Sequence, residues 1–266
     1  MTNKIILTAF TLCLFLIIAC KKDNVDSDDN VNTNDQAILD IYFKGKVGSE
    51  EFVLNQTYTH DSLGYPYRFE TVKLYFSNFT LTDVEGNKHN IDTVMFANFY
   101  NNHLSSGTKG ELLSIQIPTG DYTNIKFDLG LDSALNHGDP SNFPNDHPLR
   151  TTNGAHWGWA GGYRFAMLEG KVDTSTLANG SLNYPFNYHT GFLSLLREIN
   201  NCTSLSLTKD NTSELTINIE LGQVFVSGDS SIIDPKIESF THAMGNDMPL
   251  AEKVTEHLTG AFSIIE

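Results

Sequence analysis

Basic side chains are scarce in this chain of 266 residues. It has 17 lysines and arginines against 32 aspartates and glutamates, so its formal net charge is -15 at pH 7. A protein that binds nucleic acid needs a basic surface to neutralise phosphates, and this balance argues against nucleic acid as a partner. An acidic surface keeps a secreted protein soluble and can attract cations.

Sequence motifs of common enzymes are absent. The chain has no HExxH, no CxxC and no finger-like Cys/His spacing, so local spacing identifies no zinc site. It has no GxSxG elbow and no glycine loop that would cradle a phosphate. Its carboxylates are scattered, which gives no support to a glycosidase pair. We therefore expect a protein that is not an enzyme.

A long apolar run occurs at the N-terminus. Lys4 precedes a mostly apolar stretch at residues 5–18, which has about the length of a signal-peptide core and is short for a membrane span. The run ends in Ile18-Ala19-Cys20, which resembles a bacterial lipobox. Residues 1–20 are therefore predicted to be a lipoprotein signal peptide with Cys20 as the lipidated cysteine. The alternative is an ordinary signal peptide with a chance cysteine.

Cysteine is scarce too, with three in the whole chain. Cys13 would leave with the signal peptide and Cys20 would carry lipid, so Cys202 is predicted to have no disulfide partner. Such a domain needs a hydrophobic core, and an apolar content of 40% can supply one. Residues 21–36 are polar, acidic and rich in asparagine, which predicts a flexible linker to a domain at residues 37–266.

From residue 37 onward, apolar and polar residues alternate. Leu39, Ile41 and Phe43 begin this pattern, and it recurs at residues 71–76, 124–129 and 214–221. Alternation separated by turn residues is typical of half-buried antiparallel strands. It predicts an all-β fold, an immunoglobulin-like β-sandwich with long loops. Pro249 and the helical spacing of the apolar residues after it predict a short C-terminal helix.

Both tryptophans lie in one glycine-rich stretch, His156-Trp157-Gly158-Trp159 followed by residues 160–165. Core strands use few glycines, which favours a site, although two tryptophans near a strand start are more often core anchors. The preceding segment, from residue 132, has the composition of a long loop. Because such loops in compact domains tend to be functional or disordered, we interpret this one as functional.

Several of the nine histidines lie in or near this loop. His137, His147 and His156 belong to it, and His189 follows a predicted strand. Neutral imidazole is the commonest metal ligand and suits copper and zinc. Any ligands would have to converge through the fold. For each single histidine, a surface or hydrogen-bonded role is the alternative.

The motifs, in their order along the chain, resemble the MbnP-like family of bacterial copper-binding proteins, which is associated with methanobactin and copper acquisition and has lipoprotein relatives of the Bacteroidetes type. The resemblance extends over about residues 39–191. The matching segments are Tyr75-Phe76-Ser77-Asn78, Pro118-x-Gly120-x-Tyr122, Phe127-x-x-Gly130-x-Asp132-Ser133, Asn136-His137-Gly138-Asp139-Pro140, His156-Trp157-Gly158-Trp159-x-x-Gly162-Tyr163-Arg164-Phe165, Glu169-Gly170 and Phe186-x-Tyr188-His189-x-Gly191.

The resemblance implies a β-rich fold and a copper site made by histidines and an oxidised tryptophan. In characterised members a tryptophan becomes kynurenine, made by a partner di-haem peroxidase of the MauG-like type. Carried onto this chain, His137 and His189 become the expected ligands, with His156 as a further ligand or a neighbour. Trp157 or Trp159 becomes the residue expected to be oxidised.

The sequence therefore predicts a lipid-anchored copper-binding protein of the cell envelope, attached to the outer membrane and holding Cu⁺ or Cu²⁺. The domain would face either the periplasm or the cell surface. The alternative is a surface module that binds glycans or envelope proteins without metal, since tryptophan and tyrosine also form sugar platforms. A weaker alternative is a redox or zinc enzyme that uses the same histidines.

Overall fold

The computed structural model describes residues 35–100, 110–158, 161–175, 179 and 181–265. Within them, strands form one sheet of five and one of nine. The strands are β1 (Gln36–Val47), β2 (Glu50–Glu51), β3 (Tyr58–Thr59), β4 (Pro66–Asp83), β5 (Lys88–Asn98), β6 (Glu111–Pro118), β7 (Gly120–Leu129), β8 (His156–Gly158), β9 (Gly162–Asp173), β10 (Leu182–Gly191), β11 (Arg197–Leu207), β12 (Thr212–Glu220), β13 (Phe240–Thr241) and β14 (Phe262–Ile265).

The predicted all-β sandwich is confirmed. The smaller sheet has the order β14-β12-β1-β2, with β6 also paired to β1. The larger sheet has the order β11-β7-β4-β9-β10-β13, with β3 and β5 paired to β4 and β8 paired to β9. Two pairs, β1 with β12 and β10 with β13, are parallel where antiparallel neighbours were expected. Long stretches of chain join each of these pairs, which is what a parallel connection requires.

The main core lies between the two sheets and is rich in phenylalanine. Phe43 of β1 stacks on Phe76 of β4, with ring centroids 4.3 Å apart, and Phe127 of β7 meets both rings edge-on. Neighbouring residues of a strand face opposite sides, so Tyr75 points to the outer face of the larger sheet. There it belongs to a second buried cluster with Leu149, Tyr163 and others.

The loop that follows β7 covers this outer face. It contains the one-turn helix α1 (Ser133–Asn136) and two 3₁₀ turns. The hydroxyl of Tyr75 donates to the carbonyl of Pro148 at 2.7 Å, and that of Tyr163 donates to the carbonyl of Leu149. Side chains of the sheet therefore hold the loop by its backbone.

The predicted C-terminal helix is confirmed as α2 (Met248–Thr259), with Pro249 in its first turn and Ala251, Val254 and Leu258 buried. In the described part of the chain, no helix has both the length and the apolar character that crossing a bilayer requires.

In the full-length chain Cys202 is disulfide-bonded, whereas the sequence analysis expected it to have no disulfide partner. That prediction assumed a processed chain without Cys13 and with lipid on Cys20. The predicted signal peptide, Cys20 and most of the predicted linker lie outside the described residues, and β1 begins at Gln36, the last residue of the predicted linker.

Candidate functional site

Strand register brings His189 next to a histidine that the sequence analysis did not select. The short strand β13 pairs in parallel with β10, so Tyr188 lies opposite Thr241. His189 is the next residue of β10, and His242 directly follows β13. Their imidazole rings are parallel within 7°, with centroids 4.8 Å apart.

Trp157 completes this group, which we call the histidine-indole site (Trp157, His189 and His242). The indole ring lies 6.4 Å from the His189 ring and 6.1 Å from the His242 ring, centroid to centroid. Phe192 packs against the indole at 5.7 Å, and Phe240 packs against His242 at 4.4 Å. The pair of imidazoles therefore lies among aromatic rings rather than in open solvent.

A carboxylate binds one of the two ring nitrogens of His189. Its Nε2 lies 2.7 Å from Oε1 of Glu169, while the hydroxyl of Thr71 donates to the other carboxylate oxygen at 3.0 Å. The hydrogen bond from His189 lowers the pKa of Glu169, although burial opposes this effect. The second ring nitrogen, Nδ1, is buried and has no hydrogen-bond partner within the described residues.

Arg164 covers one face of the indole. Its guanidinium carbon lies 5.1 Å from the Trp157 ring centroid, and its Nη1 donates to the carbonyl of Gly154 at 2.7 Å. Burial lowers the pKa of His242, and the charge of Arg164 lowers it further. Both effects favour the neutral imidazole, which is the form that can ligate a metal.

Two glycines of the quoted motifs permit this packing. A Cβ on Gly191 would lie 2.7 Å from Cζ3 of Trp157, so only glycine lets the indole approach β10. Gly162 has a φ of 67°, and a Cβ there would lie 2.4 Å from Oδ1 of Asn136. That same oxygen accepts a hydrogen bond from the backbone N–H of Tyr163 at 2.8 Å.

The backbone beside the site is strained at two positions. Phe192, which follows β10, has a φ of 68° and a ψ of 149°, and Ala243, which follows His242, has a φ of 55°. Non-glycine residues with such angles persist where the surrounding structure holds them, and they concentrate at functional sites. Ala243 directly follows His242, and Phe192 lies three residues after His189.

The other predicted ligands lie in different surroundings. His137 ends α1, is exposed, and has its Nδ1 3.1 Å from the carbonyl of Ser133. His156 is half-buried against the ring of Tyr163, and its Nδ1 accepts from the backbone N–H of Gly158. Burial lowers the pKa of His156. Trp159 lies outside the described residues.

Of the three residues in this candidate site, the sequence analysis selected His189 and Trp157 but not His242. Local spacing gives no signal for His242, because a strand of two residues brings it to the site. Glu169 belonged to a quoted motif, but its contact with His189 depends on register between strands. In the described part of the chain, no three or more His, Cys, Asp or Glu side chains form a group that could hold a metal ion.

Comparison with known proteins identifies relatives. A family model described as MbnP matches residues 36–243, a range that includes the whole histidine-indole site. The solved structure of MbnP from Methylosinus trichosporium is similar, with a TM-score of 0.57 at 15% identity, over 86% of this chain and 98% of that one. This likeness shows a shared fold. No curated protein matches the chain.

Proposed function

This chain belongs to the MbnP family, and on that premise we propose that it is a copper-binding protein of the cell envelope. In this proposal it is anchored through lipid on Cys20, handles or acquires copper, and does not itself catalyse a reaction. The observation that carries the proposal is the parallel pair of His189 and His242 beside Trp157.

The residues present fit a copper ion. Imidazole nitrogen is a good copper ligand, and two imidazoles with a further donor form an acceptable set. Nδ1 of His189 is buried without a hydrogen-bond partner in the described residues, and an unsatisfied buried nitrogen is costly unless something binds it. A metal ion would satisfy this nitrogen. His137 and His156 remain candidates for a further ligand.

Trp157 has a place beside both imidazoles. An unmodified indole has no lone pair to offer, but it can cover a bound cation with its ring face. If a MauG-like di-haem peroxidase converts it to kynurenine, as the family resemblance implies, the product would offer an amine and a carbonyl at that position. Trp159 is the other candidate for this conversion.

The glycan alternative has less support from the geometry. A sugar platform needs an open aromatic face, whereas Arg164 and Phe192 pack against the indole of Trp157. Elemental analysis of protein purified from its native envelope separates the two functions. Protein without bound copper that also fails to take up added copper would leave the glycan or envelope-partner function.

Titration with Cu⁺ and Cu²⁺ tests the copper proposal. We compare the wild-type protein with His189→Ala, His137→Ala and His156→Ala, and use His89→Ala as the matched control because His89 lies on β5 next to Asp83. The proposal expects His189→Ala to lose affinity and the control to retain it. Unchanged affinity in His189→Ala would exclude this site.

A further inference from the structure

Glu169 lies at the centre of three neighbouring strands. On β4, Thr71 is directly opposite Glu169 of β9. On β10, Asn187 is opposite Glu169, so His189 is its diagonal neighbour two residues further along. Residues two apart on a strand share a face of the sheet, so all three side chains lie side by side. Sheet register, rather than a mobile loop, therefore positions this carboxylate.

Both carboxylate oxygens of Glu169 are engaged. One accepts from Thr71 at 3.0 Å and the other lies 2.7 Å from Nε2 of His189. An ionised carboxylate can only accept hydrogen bonds, so the proton between Glu169 and His189 belongs on Nε2 of the ring. The remaining nitrogen, Nδ1, then carries a lone pair if the imidazole is neutral.

The surroundings of Nδ1 favour the neutral ring. A doubly protonated His189 would bury an N–H at Nδ1, where the described residues offer no acceptor. A buried donor without an acceptor costs about 1–3 kcal/mol. A simple ion pair between Glu169 and a charged His189 therefore leaves Nδ1 unexplained, whereas a neutral ring with a lone pair at Nδ1 has the form of a metal ligand.

We propose that Glu169 is a positioning residue that holds His189 in its Nε2–H tautomer and thereby presents Nδ1 as the ligating nitrogen. This inference rests on the proposed function and specifies how one ligand of that site is prepared. Carboxylates that fix the tautomer of a ligating histidine commonly change metal affinity by about 10- to 100-fold when they are removed. Thr71 restricts the rotation of the carboxylate and so belongs to the same arrangement.

The first measurement needs no metal. In protein labelled with nitrogen-15, long-range proton–nitrogen spectra distinguish the two tautomers, and His189→Ala identifies the His189 signals. We expect Nε2 protonated and Nδ1 unprotonated in the wild type. In Glu169→Ala we expect this preference to be lost. Glu169→Gln, whose amide oxygen can still accept from Nε2, should retain it.

The second measurement is Cu⁺ affinity by competition with a chelator. Glu169→Ala should weaken binding about 10- to 100-fold, and Glu169→Gln should restore much of it. The matched control is Glu198→Ala, which removes an exposed carboxylate that pairs with Lys126 on neighbouring strands. Circular dichroism checks that each variant folds, and Glu169→Leu, which also removes the hydrogen-bond acceptor but keeps more of the side-chain volume, replaces the Ala variant if the latter does not fold.

The outcomes separate this inference from the proposed function. Wild-type protein that binds no copper overturns the function, while the tautomer of the metal-free protein still tests the role of Glu169. An Nδ1–H tautomer in the wild type, or an unchanged tautomer in a folded Glu169→Ala variant, overturns the inference. So does a tautomer change that leaves copper affinity unaltered.

Discussion

His189 and His242 stack with their rings 4.8 Å apart, although they lie on different strands and a long stretch of chain separates them. Two residue pairs between β10 and β13, Asn187 with Phe240 and Tyr188 with Thr241, place them together. Burial and the neighbouring charges lower the pKa of His242. The fold therefore keeps the two side chains close together. It also favours the neutral form of the His242 ring.

Removal of His242 should weaken copper binding as much as removal of His189. If both imidazoles bind one ion, each single alanine variant leaves a lone imidazole, and the double variant adds little further loss because the two residues act as a unit. We expect each single loss to exceed the roughly 10- to 100-fold effect of removing a residue that only supports a ligand. Chelator competition measures this, and additive losses would contradict a shared ion.

Gly191→Ala should displace the indole of Trp157. The added methyl group would lie 2.7 Å from Cζ3 of Trp157 and 2.8 Å from the carbonyl oxygen of Tyr163. Overpacking of this kind costs about 1–3 kcal/mol. We expect lower stability in urea and an altered near-ultraviolet spectrum. Gly228→Ala is the matched control, because nothing lies within 4 Å of a Cβ there. Equal behaviour of the two variants would contradict the close approach.

Arg164→Met should change the environment of Trp157 more than it changes the fold. The variant keeps an apolar stem but removes the charge over the indole, a contact worth about 0.5–2 kcal/mol, and the hydrogen bond to Gly154. In a Trp159→Phe background, Trp157 emission reports the change directly. Arg164→Lys, which restores a charge without the planar group, should recover part of the signal. Identical emission in all three proteins would argue against the stacking.

Acidification should destabilise the fold through His257. This ring is 3% exposed, its Nδ1 lies 3.0 Å from the carbonyl of Val224, and burial lowers its pKa, with Lys253 adding to the effect. Because the folded pKa lies below the unfolded value of about 6.5, the unfolded chain gains the proton first as pH falls. Stability is therefore present above about pH 6.5 and decreases below it.

Urea unfolding at several pH values tests this in His257→Asn. Asparagine can still donate to the carbonyl of Val224 but does not titrate, so the variant should lose less stability on acidification than the wild type. His147→Asn makes the same chemical change at a partly exposed ring that stacks on Phe143. The control should keep the wild-type slope. A steeper slope in His257→Asn would contradict a buried neutral imidazole.

Much of the fold could be predicted from sequence, because half-buried strands and an amphipathic helix have regular periods. Leu39, Ile41 and Phe43 alternate with polar residues and are fully buried in β1. The parallel neighbours of β1 and β10 could not be predicted, since alternation defines which face is buried but not which strand lies alongside.

The candidate site was predictable only in part. Trp157 and His189 belong to motifs with several residues, whereas His242 follows a strand of two residues that no period identifies. His137 and His189 both belong to quoted motifs, yet the former caps a short helix and bonds to its own turn. The register between strands that are distant in the chain determines which histidines lie close together. This register cannot be read from a single sequence.

The position of β1 has a consequence for biogenesis. This first strand of the domain lies inside its sheet and pairs in parallel with β12 along its length, from Ile38 with Thr212 to Lys46 with Glu220. Because a polypeptide is made from its N-terminus, β1 is complete long before its partner strand β12 exists. Such non-local pairing slows folding and leaves one edge of β1 unpaired until residues 212–220 are present. The smaller sheet is therefore completed only when the C-terminal strands β12 and β14 join it.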